Sequence, residues 1–524
     1  MSCGNPQAEP DALMQRKKKY DKTRNCVRCK DAIGNIVIRH AVYCKYCFFP
    51  LTTHKFRRAL EPNVNAKPDG PRKTALKPAG TLLVGFSGGL GSSVLLDLVY
   101  KCYVSLDKST MPAEGGRDHP RHERVWKKIT VCYVEVCDAF PGTPDRTEDV
   151  TKFVSRYDEL QLATLRIQDA FDPAWWEKIG GRMSFADIGV SLADEALFIG
   201  SLTQSHLDPL AALRAYLSSL PTPTAVHSAI QTLVRVLLLH SALHTGASHL
   251  ILGTSLTSLA ISLISGVAQG SGFNIREETS EEWYPDTGVT NVPEYWPDEG
   301  RKGKRLKRTV RVVRPLRDIG MKECAAWAWW SHIPVVGKET WLWPGAKPGI
   351  GTLTKEFILG LEQDYPSTVS TIVRTCAKLQ PKGEVEGKCI LCGRPAQRGV
   401  QNWKAQIAIR SQPPPPPAAD ARAALSPAPV VAEPPFQASL TPYLCYTCHT
   451  TLTSRSARPV PTPWPDLARP SVVSLPVWTA ARLSVSAESE GAEMVEPTDE
   501  EVVRQRKMGQ DEMKSIVNEF LLED

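Results

Sequence analysis

The chain has 524 residues, is 42% hydrophobic and 23% charged, and carries a net charge of +7. Because this length exceeds what one compact core usually holds, we expect about two to four domains. The polar N-terminus lacks a secretory signal and no stretch reaches the roughly 18 apolar residues that span a bilayer, so neither a secreted nor a membrane-spanning protein is expected. Cytosol or nucleus is therefore the expected compartment.

Positive charge is gathered in short runs at residues 16–19, 55–58 and 301–308. Basic runs that share one face of a protein suit a polyanion such as RNA. Short runs of this kind are more commonly solvated loops, so charge alone favours the solvated interpretation.

Residues 1–75 are predicted to form a small zinc-binding module followed by a linker rich in Pro, Lys and Gly. The module contains two Cys-x-x-Cys pairs that are fourteen residues apart: Cys26/Cys29 and Cys44/Cys47. This is a zinc-ribbon or knuckle spacing, and four thiolates leave no open position for catalysis, so a structural zinc is predicted. The alternative, unpaired core cysteines, fits poorly with Val27 and Arg28 between the ligands of the first pair.

From Thr81 onwards, apolar strands alternate with amphipathic helices. Strands are predicted at 81–86, 129–136, 249–253 and 309–313, and helices at 92–103, 224–244 and 256–267. This alternation predicts a parallel α/β sheet with helices on both faces, in a domain spanning residues 76–345. Polar segments at 108–123 and 277–307 are predicted to be insertions.

A turn rich in glycine and serine follows the first strand of this domain and opens a helix. Glycines let the backbone curl so that successive N–H groups point inward, and the first turn of the helix adds unsatisfied amides. The turn is therefore predicted to bind an anion such as pyrophosphate, although a tight turn without a ligand is the alternative. The candidate nucleotide-binding residues are Ser87, Gly88, Gly89, Gly91, Ser92 and Ser93.

Residues 346–460 are predicted to form a helical region with a second zinc-binding module and a Pro-rich insertion near 413–435. Its predicted ligands are four cysteines in two pairs: Cys389/Cys392 and Cys445/Cys448. A long loop does not forbid a shared metal, because closure entropy grows slowly with loop length. Redox function is the lesser alternative. Residues 461–524 are predicted to be a mostly flexible tail ending in a short helix at 512–522.

Two further groups of residues have competing interpretations. Cys132 and Cys137 flank Glu135 near the second strand; buried strand cysteines are favoured over a sulfur-carrying role. Tryptophans at 175–176 and 327–330 can stack on bases, but their spacing favours packing in the core.

The turn Ser-Gly-Gly-x-x-Ser resembles the Ser-Gly-Gly-x-Asp-Ser loop of the PP-loop ATP pyrophosphatases, a superfamily with an adenine nucleotide alpha hydrolase-like core. Other segments, in the same order along almost the whole chain, resemble the cytoplasmic tRNA 2-thiolation protein 2 family. These segments lie at residues 26–29, 43–47, 54–57, 252–260, 314–319, 365–370, 389–392, 444–448 and 520–524. The resemblance implies a PP-loop-like core flanked by N- and C-terminal zinc-binding modules.

The resemblance also implies a function. Family members are subunits of the cytosolic complex that 2-thiolates the wobble uridine of tRNA Lys, Gln and Glu, which gives 5-methoxycarbonylmethyl-2-thiouridine. One implied partner is the catalytic cytoplasmic tRNA 2-thiolation protein 1, with which family members form a heterodimer. The other implied partners are tRNA and the thiocarboxylated ubiquitin-related modifier, which supplies the sulfur and is also the modifier in protein urmylation. The implied location is the cytoplasm, without a membrane.

Three departures from the catalytic relatives argue against ATP turnover by this chain. Gly91 stands where the loop motif has Asp, whose carboxylate is expected to organise magnesium and the triphosphate. Residues 224–229 lack the Cys-x-x-Cys pair that carries sulfur or holds an iron–sulfur cluster in those relatives, and residues 253–258 lack their carboxylates. An anion site remains compatible with the turn.

The preferred interpretation is a non-catalytic, tRNA-binding partner. A self-sufficient ATP-dependent tRNA sulfurtransferase and a zinc-dependent scaffold without RNA contact remain as alternatives. We predict about two structural zinc ions and no iron per chain.

Overall fold

The computed structural model describes residues 24–64, 80–105, 125–140, 142–181, 188–192, 197–199, 208–285, 309–337, 349–380, 385–397, 399–400, 439–454 and 472–483. The chain divides into two compact units, each assembled from separate stretches of sequence. The first unit contains residues 1–167, 233–285 and 292–380, and the second contains 168–232, 286–291 and 381–524. The four consecutive domains that the sequence predicts, at residues 1–75, 76–345, 346–460 and 461–524, remain a prediction.

A six-stranded sheet forms the centre of the first unit. Its strands are β3 (Thr81–Phe86), β4 (Lys128–Glu135), β5 (Gln161–Arg166), β7 (Ala247–Leu252), β8 (Glu281–Trp283) and β9 (Val310–Val313). Their spatial order is β5-β4-β3-β7-β9-β8, and all neighbours are parallel except β8 and β9. The predicted α/β fold with a parallel sheet is confirmed.

The order of the parallel strands places a topological switch at β3. The chain runs outward from β3 through β4 to β5, then returns to β7 on the other side of β3. In such sheets the crevice outside the carboxyl end of the strands at the switch is the usual place for a ligand. The glycine-rich turn follows β3 and therefore lies at this point of the sheet.

Helices cover the sheet of the first unit. They are α2 (Leu90–Val99), which continues as a π-helix at Tyr100–Val104, α3 (Thr147–Val154), α7 (Leu256–Ala268), α8 (Met321–Trp330), α9 (Ile350–Asp364) and α10 (Pro366–Cys376). The apolar residues of α2 and β3 are buried in one core with those of α8. A second core joins α7, α9 and α10.

The N-terminal cysteine region belongs to the same core as the sheet. It consists of β1 (Ile36–Ile38), β2 (Ala41–Tyr43) and helix α1 (Lys45–Val64). Phe48, Phe56 and Leu60 of α1 are completely buried in the core that contains β3. Helix α1 also runs into the first residues of the predicted linker. Because buried residues of α1 pack in the core of the sheet, the N-terminal cysteine region is part of the first unit.

The second unit is smaller in regular structure. It contains the 3₁₀ turn at Ile167–Phe171, α4 (Pro173–Lys178), β6 (Gly189–Val190), α5 (Pro209–Ser219), β10 (Val385–Lys388), β11 (Pro395–Gln397), α11 (Tyr446–Thr453) and β12 (Val473–Ser474). Strand β12 pairs with β6, and residues 478–483 are helical, so part of the predicted flexible tail is ordered.

Among the residues that the structure describes, one helix is long and apolar enough to span a membrane. Helix α6 (Pro223–His244) has a mean hydropathy of 1.3 in its most apolar window, and 67% of that window is buried inside the structure. Burial of this extent is typical of a core helix, so the helix is weak evidence for a membrane.

The predicted insertion at 277–307 contributes an element that its polar sequence does not indicate. Strand β8 pairs with β9 at the edge of the sheet, and Trp283 is buried there. The insertion at 108–123, the basic runs at 16–19 and 301–308, the Pro-rich tract and the C-terminal helix lie outside the described residues.

Candidate functional site

The glycine-rich turn connects the buried end of β3 to the first residue of α2. Gly88 has a φ of +72°, which glycine adopts without strain, and Ser87 is exposed beside it. Ser92 is almost completely buried and Ser93 is completely buried. The predicted nucleotide-binding residues therefore lie together at the switch point, and their binding of an anion remains a prediction.

Several polar groups of the turn already bond to one another. The Ser92 hydroxyl donates to the Gly89 carbonyl at 2.9 Å and lies 3.2 Å from the Ser87 hydroxyl. The backbone N–H of Ser87 donates to Ser92 Oγ at 3.3 Å. The Ser93 hydroxyl is buried and lacks a hydrogen-bond partner in the described part of the chain. The internal bonds hold the turn in a defined shape.

Residues 336–337 lie against one side of this turn. The backbone N–H groups of Val336 and Gly337 both donate to the Gly88 carbonyl, at 3.1 and 2.9 Å. The guanidinium of Arg146 donates to the Val336 carbonyl at 2.9 Å. Gly88 is thus buried, and Ser87 marks the side of the turn that solvent reaches.

Gly91 is packed against the backbone that follows β7. A Cβ atom at this position would lie 2.1 Å from the Gly253 carbonyl oxygen, and a Cβ at Gly253 would lie 2.5 Å from the backbone of Ser92. Such distances are far below any real contact, and a backbone atom cannot rotate away as a side chain does. The site of the missing carboxylate therefore has no room for a side chain in this structure.

The first group of cysteines converges on one point of the N-terminal region. The Sγ atoms of Cys26, Cys29, Cys44 and Cys47 all lie within 4.8 Å of one another, and those of Cys29 and Cys44 are 3.8 Å apart. Zinc with four bonds of about 2.3 Å to sulfur has sulfur–sulfur edges of about 3.8 Å. The donor set and its spacing therefore fit a tetrahedral zinc ion.

Backbone geometry prepares this group for metal binding. Burial raises the pKa of Cys26, but hydrogen bonds from the backbone N–H groups of Cys29, Cys44 and Arg28 outweigh burial and lower the pKa to about 6. The β1–β2 hairpin fixes the arrangement, because the Val27 N–H donates to the Val42 carbonyl at 2.9 Å. His54 is exposed and does not belong to the cluster.

The second group of cysteines has the same arrangement in the second unit. The four Sγ atoms of Cys389, Cys392, Cys445 and Cys448 lie within 4.8 Å of one another, with 3.7 Å between those of Cys392 and Cys445. Hydrogen bonds with Cys389 and Cys392, together with burial, raise the pKa values of Cys445 and Cys448. A divalent cation stabilises the thiolate form, so this set also fits a metal.

The chain segment between Cys389 and Cys392 is held from inside the second unit. Trp478 donates its indole N–H to the Leu391 carbonyl at 2.9 Å, and Arg482 donates to the Ile390 carbonyl at 2.8 Å. Trp478 is completely buried. Sequence reasoning missed both residues because they lie in the predicted flexible tail; an isolated Trp in a Pro-rich segment was the available signal.

Neither cysteine near β4 has the character of a sulfur carrier. Burial raises the pKa of Cys132 to about 11, and burial with the carboxylate of Glu135 raises that of Cys137 to about 12. Both remain thiols near neutral pH, whereas the thiolate is the reactive form. Glu135 itself accepts hydrogen bonds from the Tyr133 hydroxyl and three backbone N–H groups.

Most of the candidate stacking tryptophans are packed in the interior. Trp175, Trp176 and Trp327 are buried, and Trp327 donates its indole N–H to Asp97 at 2.7 Å. Trp329 differs, because it is 79% exposed. In the basic run at 55–58, Lys55 pairs with Glu323 at 2.7 Å and is partly buried.

The family model and the relatives that this chain matches carry the same description. The family model described as "Cytoplasmic tRNA 2-thiolation protein 2" matches residues 349–450. A protein of that name from Danio rerio is 26% identical over 398 residues, covering 70% of this chain and 72% of the relative. The protein of the same name from Homo sapiens is 26% identical over 435 residues and covers 74% of both chains.

A solved structure is also similar. It is the U34-tRNA thiolase NcsA from Methanococcus maripaludis with its [4Fe-4S] cluster, with a TM-score of 0.43 and 16% identity. The match covers 75% of this chain and 99% of that one.

Proposed function

We propose that the chain is a member of the cytoplasmic tRNA 2-thiolation protein 2 family, to whose members it is similar, and that it is the non-catalytic, tRNA-binding subunit of a cytoplasmic wobble-uridine thiolation complex. Its catalytic partner is the cytoplasmic tRNA 2-thiolation protein 1, with which it forms a heterodimer. The complex acts on tRNA Lys, Gln and Glu. The thiocarboxylated ubiquitin-related modifier supplies the sulfur.

The contact between Gly91 and Gly253 carries the non-catalytic part of the proposal. Adenylation converts the C2 oxygen of uridine into a good leaving group, and it needs a magnesium-bound triphosphate. The Gly253 carbonyl occupies the position where a Cβ of residue 91 would begin, which leaves no place for a carboxylate that organises the metal. The high pKa values of Cys132 and Cys137 further support sulfur transfer by the partner.

The two cysteine clusters supply structure in this proposal. Zinc ions held by Cys26, Cys29, Cys44 and Cys47 and by the second set at 389–448 would cross-link the two chain segments of each set. Metal analysis of the purified chain is expected to give about two zinc ions and no iron. Iron in place of zinc would contradict the assignment.

A reconstituted reaction tests the division of labour. The chain, its thiolase partner and their mixture are each incubated with tRNA, ATP, magnesium and the thiocarboxylated modifier. We expect AMP and thiolated tRNA from the mixture, and neither product from this chain alone. AMP formation by the chain alone would establish it as a self-sufficient sulfurtransferase. Absence of tRNA binding by both the chain and the mixture would favour the scaffold.

Substitutions at Gly91 and at Gly360 test the steric argument. Gly91→Asp is expected not to create AMP formation in the isolated chain, and to lower its thermal stability, because the new side chain meets the Gly253 carbonyl. Gly360→Ala in α9 is the control, since nothing lies within 4 Å of its Cβ position. A folded Gly91→Asp protein that forms AMP would refute the steric argument.

A further inference from the structure

The outer rim of the first cysteine cluster carries an unusual side chain. Tyr46 lies between the ligands Cys44 and Cys47, in the first turn of α1, and is 83% exposed. Its ring makes no aromatic contact and its hydroxyl no hydrogen bond with any residue that the structure describes. A tyrosine that is fixed at its backbone by a metal-binding knuckle presents a flat, accessible ring in a defined place.

The segments that form this cluster also carry exposed positive charge. Each of the charged residues concerned lies within two positions of a cluster cysteine, and together with Tyr46 they define the cysteine-rim surface: Arg24, Arg28, Lys30 and Lys45, with Asp31 as the one acidic member. None of these cations forms an ion pair within the described ranges. The rim therefore stays positive even beside zinc with four thiolates, which is formally dianionic.

We propose that the cysteine-rim surface binds an unpaired nucleotide of an RNA, with Tyr46 stacked on the base and Arg28 and Lys45 on the flanking phosphates. The inference rests on the proposed function and specifies its RNA contact. Because the four sulfur atoms converge, the chain segment that carries Arg28 and the segment that carries Lys45 and Tyr46 meet at one cluster. The aromatic ring that can stack on a base and the cations that can bind phosphates are thus carried by segments that meet there.

The chemistry favours a single strand over a duplex. Every base has a π-face, and stacking on an aromatic side chain requires that the base has left its own helix. An isolated lysine or arginine pair binds the phosphates of a duplex and a loop alike. The exposed ring is therefore the feature that selects an unpaired base, and the cations supply binding that depends on salt concentration.

The experiment compares two RNA probes on the zinc-loaded full chain: a hairpin with an unpaired pyrimidine loop, and a fully paired duplex of the same length. Tyr46→Ala is expected to weaken hairpin binding about tenfold and to leave duplex binding unchanged. Tyr46→Phe keeps the ring and should bind the hairpin within about twofold of the wild type. Phe357→Ala, which removes another exposed ring from α9, is the matched control.

Charge is tested separately. The double variant Arg28→Ala/Lys45→Ala should weaken both probes and reduce the salt dependence of binding by about 0.7 per lost phosphate contact. Lys355→Ala in α9, which removes an exposed lysine away from the cluster, should change neither property. Ultraviolet cross-linking of the hairpin should give a modified peptide that contains Tyr46.

Several outcomes overturn the inference. Equal hairpin binding by wild type and Tyr46→Ala, with zinc content and melting temperature unchanged, removes the stacking role but leaves the proposed function intact. Loss of association with the thiolase partner, with RNA binding unchanged, would instead assign the ring to a protein contact. Absence of RNA binding by the wild-type chain and its complex contradicts the tRNA-binding role itself.

Discussion

The two cysteine clusters share their ligands and spacing but differ in what surrounds them. In the first cluster, Val27 between the paired cysteines is 58% exposed. In the second, the equivalent residues Ile390 and Leu391 are 1% and 5% exposed. We call the two residues between the cysteines of the first pair in each cluster its knuckle: residues 27–28 in the first cluster and residues 390–391 in the second. The first cluster therefore exposes its knuckle to solvent, and the knuckle of the second cluster is part of a core.

The difference follows from the residues between the ligands. A Val-Arg dipeptide leaves a charged side chain that needs water, whereas an Ile-Leu dipeptide gains from burial. Trp478 and Arg482 then satisfy the carbonyl groups of the buried knuckle. The same metal-binding motif can thus build a surface in one unit and an interior in the other, and four predictions test this contrast.

The largest expected effect is the loss of a ligand in the buried cluster. Cys445→Ser leaves three buried thiolates close together with an incomplete set of metal ligands. Because buried charges without a partner are costly, the variant should destabilise the second unit by about 3–5 kcal/mol. This corresponds to a fall in melting temperature of about 10 °C or more. Calorimetry with zinc analysis measures both effects. Cys26→Ser at the exposed cluster should lower the transition less; an equal loss would contradict the contrast.

Truncation of the knuckle residues should separate the clusters most cleanly. Ile390→Ala removes completely buried methyl groups and should cost about 3 kcal/mol of unfolding free energy. Val27→Ala removes an exposed side chain and should stay within about 0.5 kcal/mol of the wild type. Denaturant titration of both variants provides the comparison. Similar losses for the two would show that the exposed knuckle is also covered.

A smaller effect is expected from the indole that supports the buried knuckle. Trp478→Phe keeps most of the ring but removes the donor to the Leu391 carbonyl, and should cost about 1–2 kcal/mol. Cobalt substituted for zinc reports on the site, since its absorption changes when the thiolate geometry changes. The control is Trp329→Phe, at an exposed position. An unchanged spectrum and stability would mean that Arg482 alone holds the knuckle.

The smallest expected effect concerns the far end of the helix that begins at the exposed cluster. His249 donates from Nε2 to the Asn63 carbonyl at 3.1 Å, and Arg311 donates to the same carbonyl at 2.9 Å. Burial lowers the pKa of His249, and the nearby Arg311 charge lowers it further, although the Asn63 bond opposes this.

A lowered pKa means that the unfolded chain takes up the proton first. Stability from neutral His249 is therefore fully present above the unfolded pKa of about 6.5, and is lost as the pH falls through the folded value. Melting curves between about pH 7.5 and about pH 5 should show the first unit losing stability as the pH falls. His249→Gln should flatten this dependence; an unchanged slope would rule out His249 as its source.

The central strands could be predicted closely because their sequences are apolar and rich in branched residues. Strand β3 begins and ends where the sequence predicts, and β7, β9 and helix α7 differ by one or two residues. Strands β5 and β8 were not predicted, since edge strands with half-exposed or polar residues carry little periodic signal. Their pairing partners, not their own residues, decide that they are strands.

The candidate site shows the same division. The order of the residues specifies which atoms are available: eight cysteines in paired spacing, a turn of glycines and serines after an apolar strand, and no carboxylate at Gly91. These are local properties of neighbouring residues. Tertiary structure decided that the Gly253 carbonyl fills the space beside Gly91, and that one knuckle is exposed while the other is buried. Both depend on contacts between distant segments, which local sequence cannot specify.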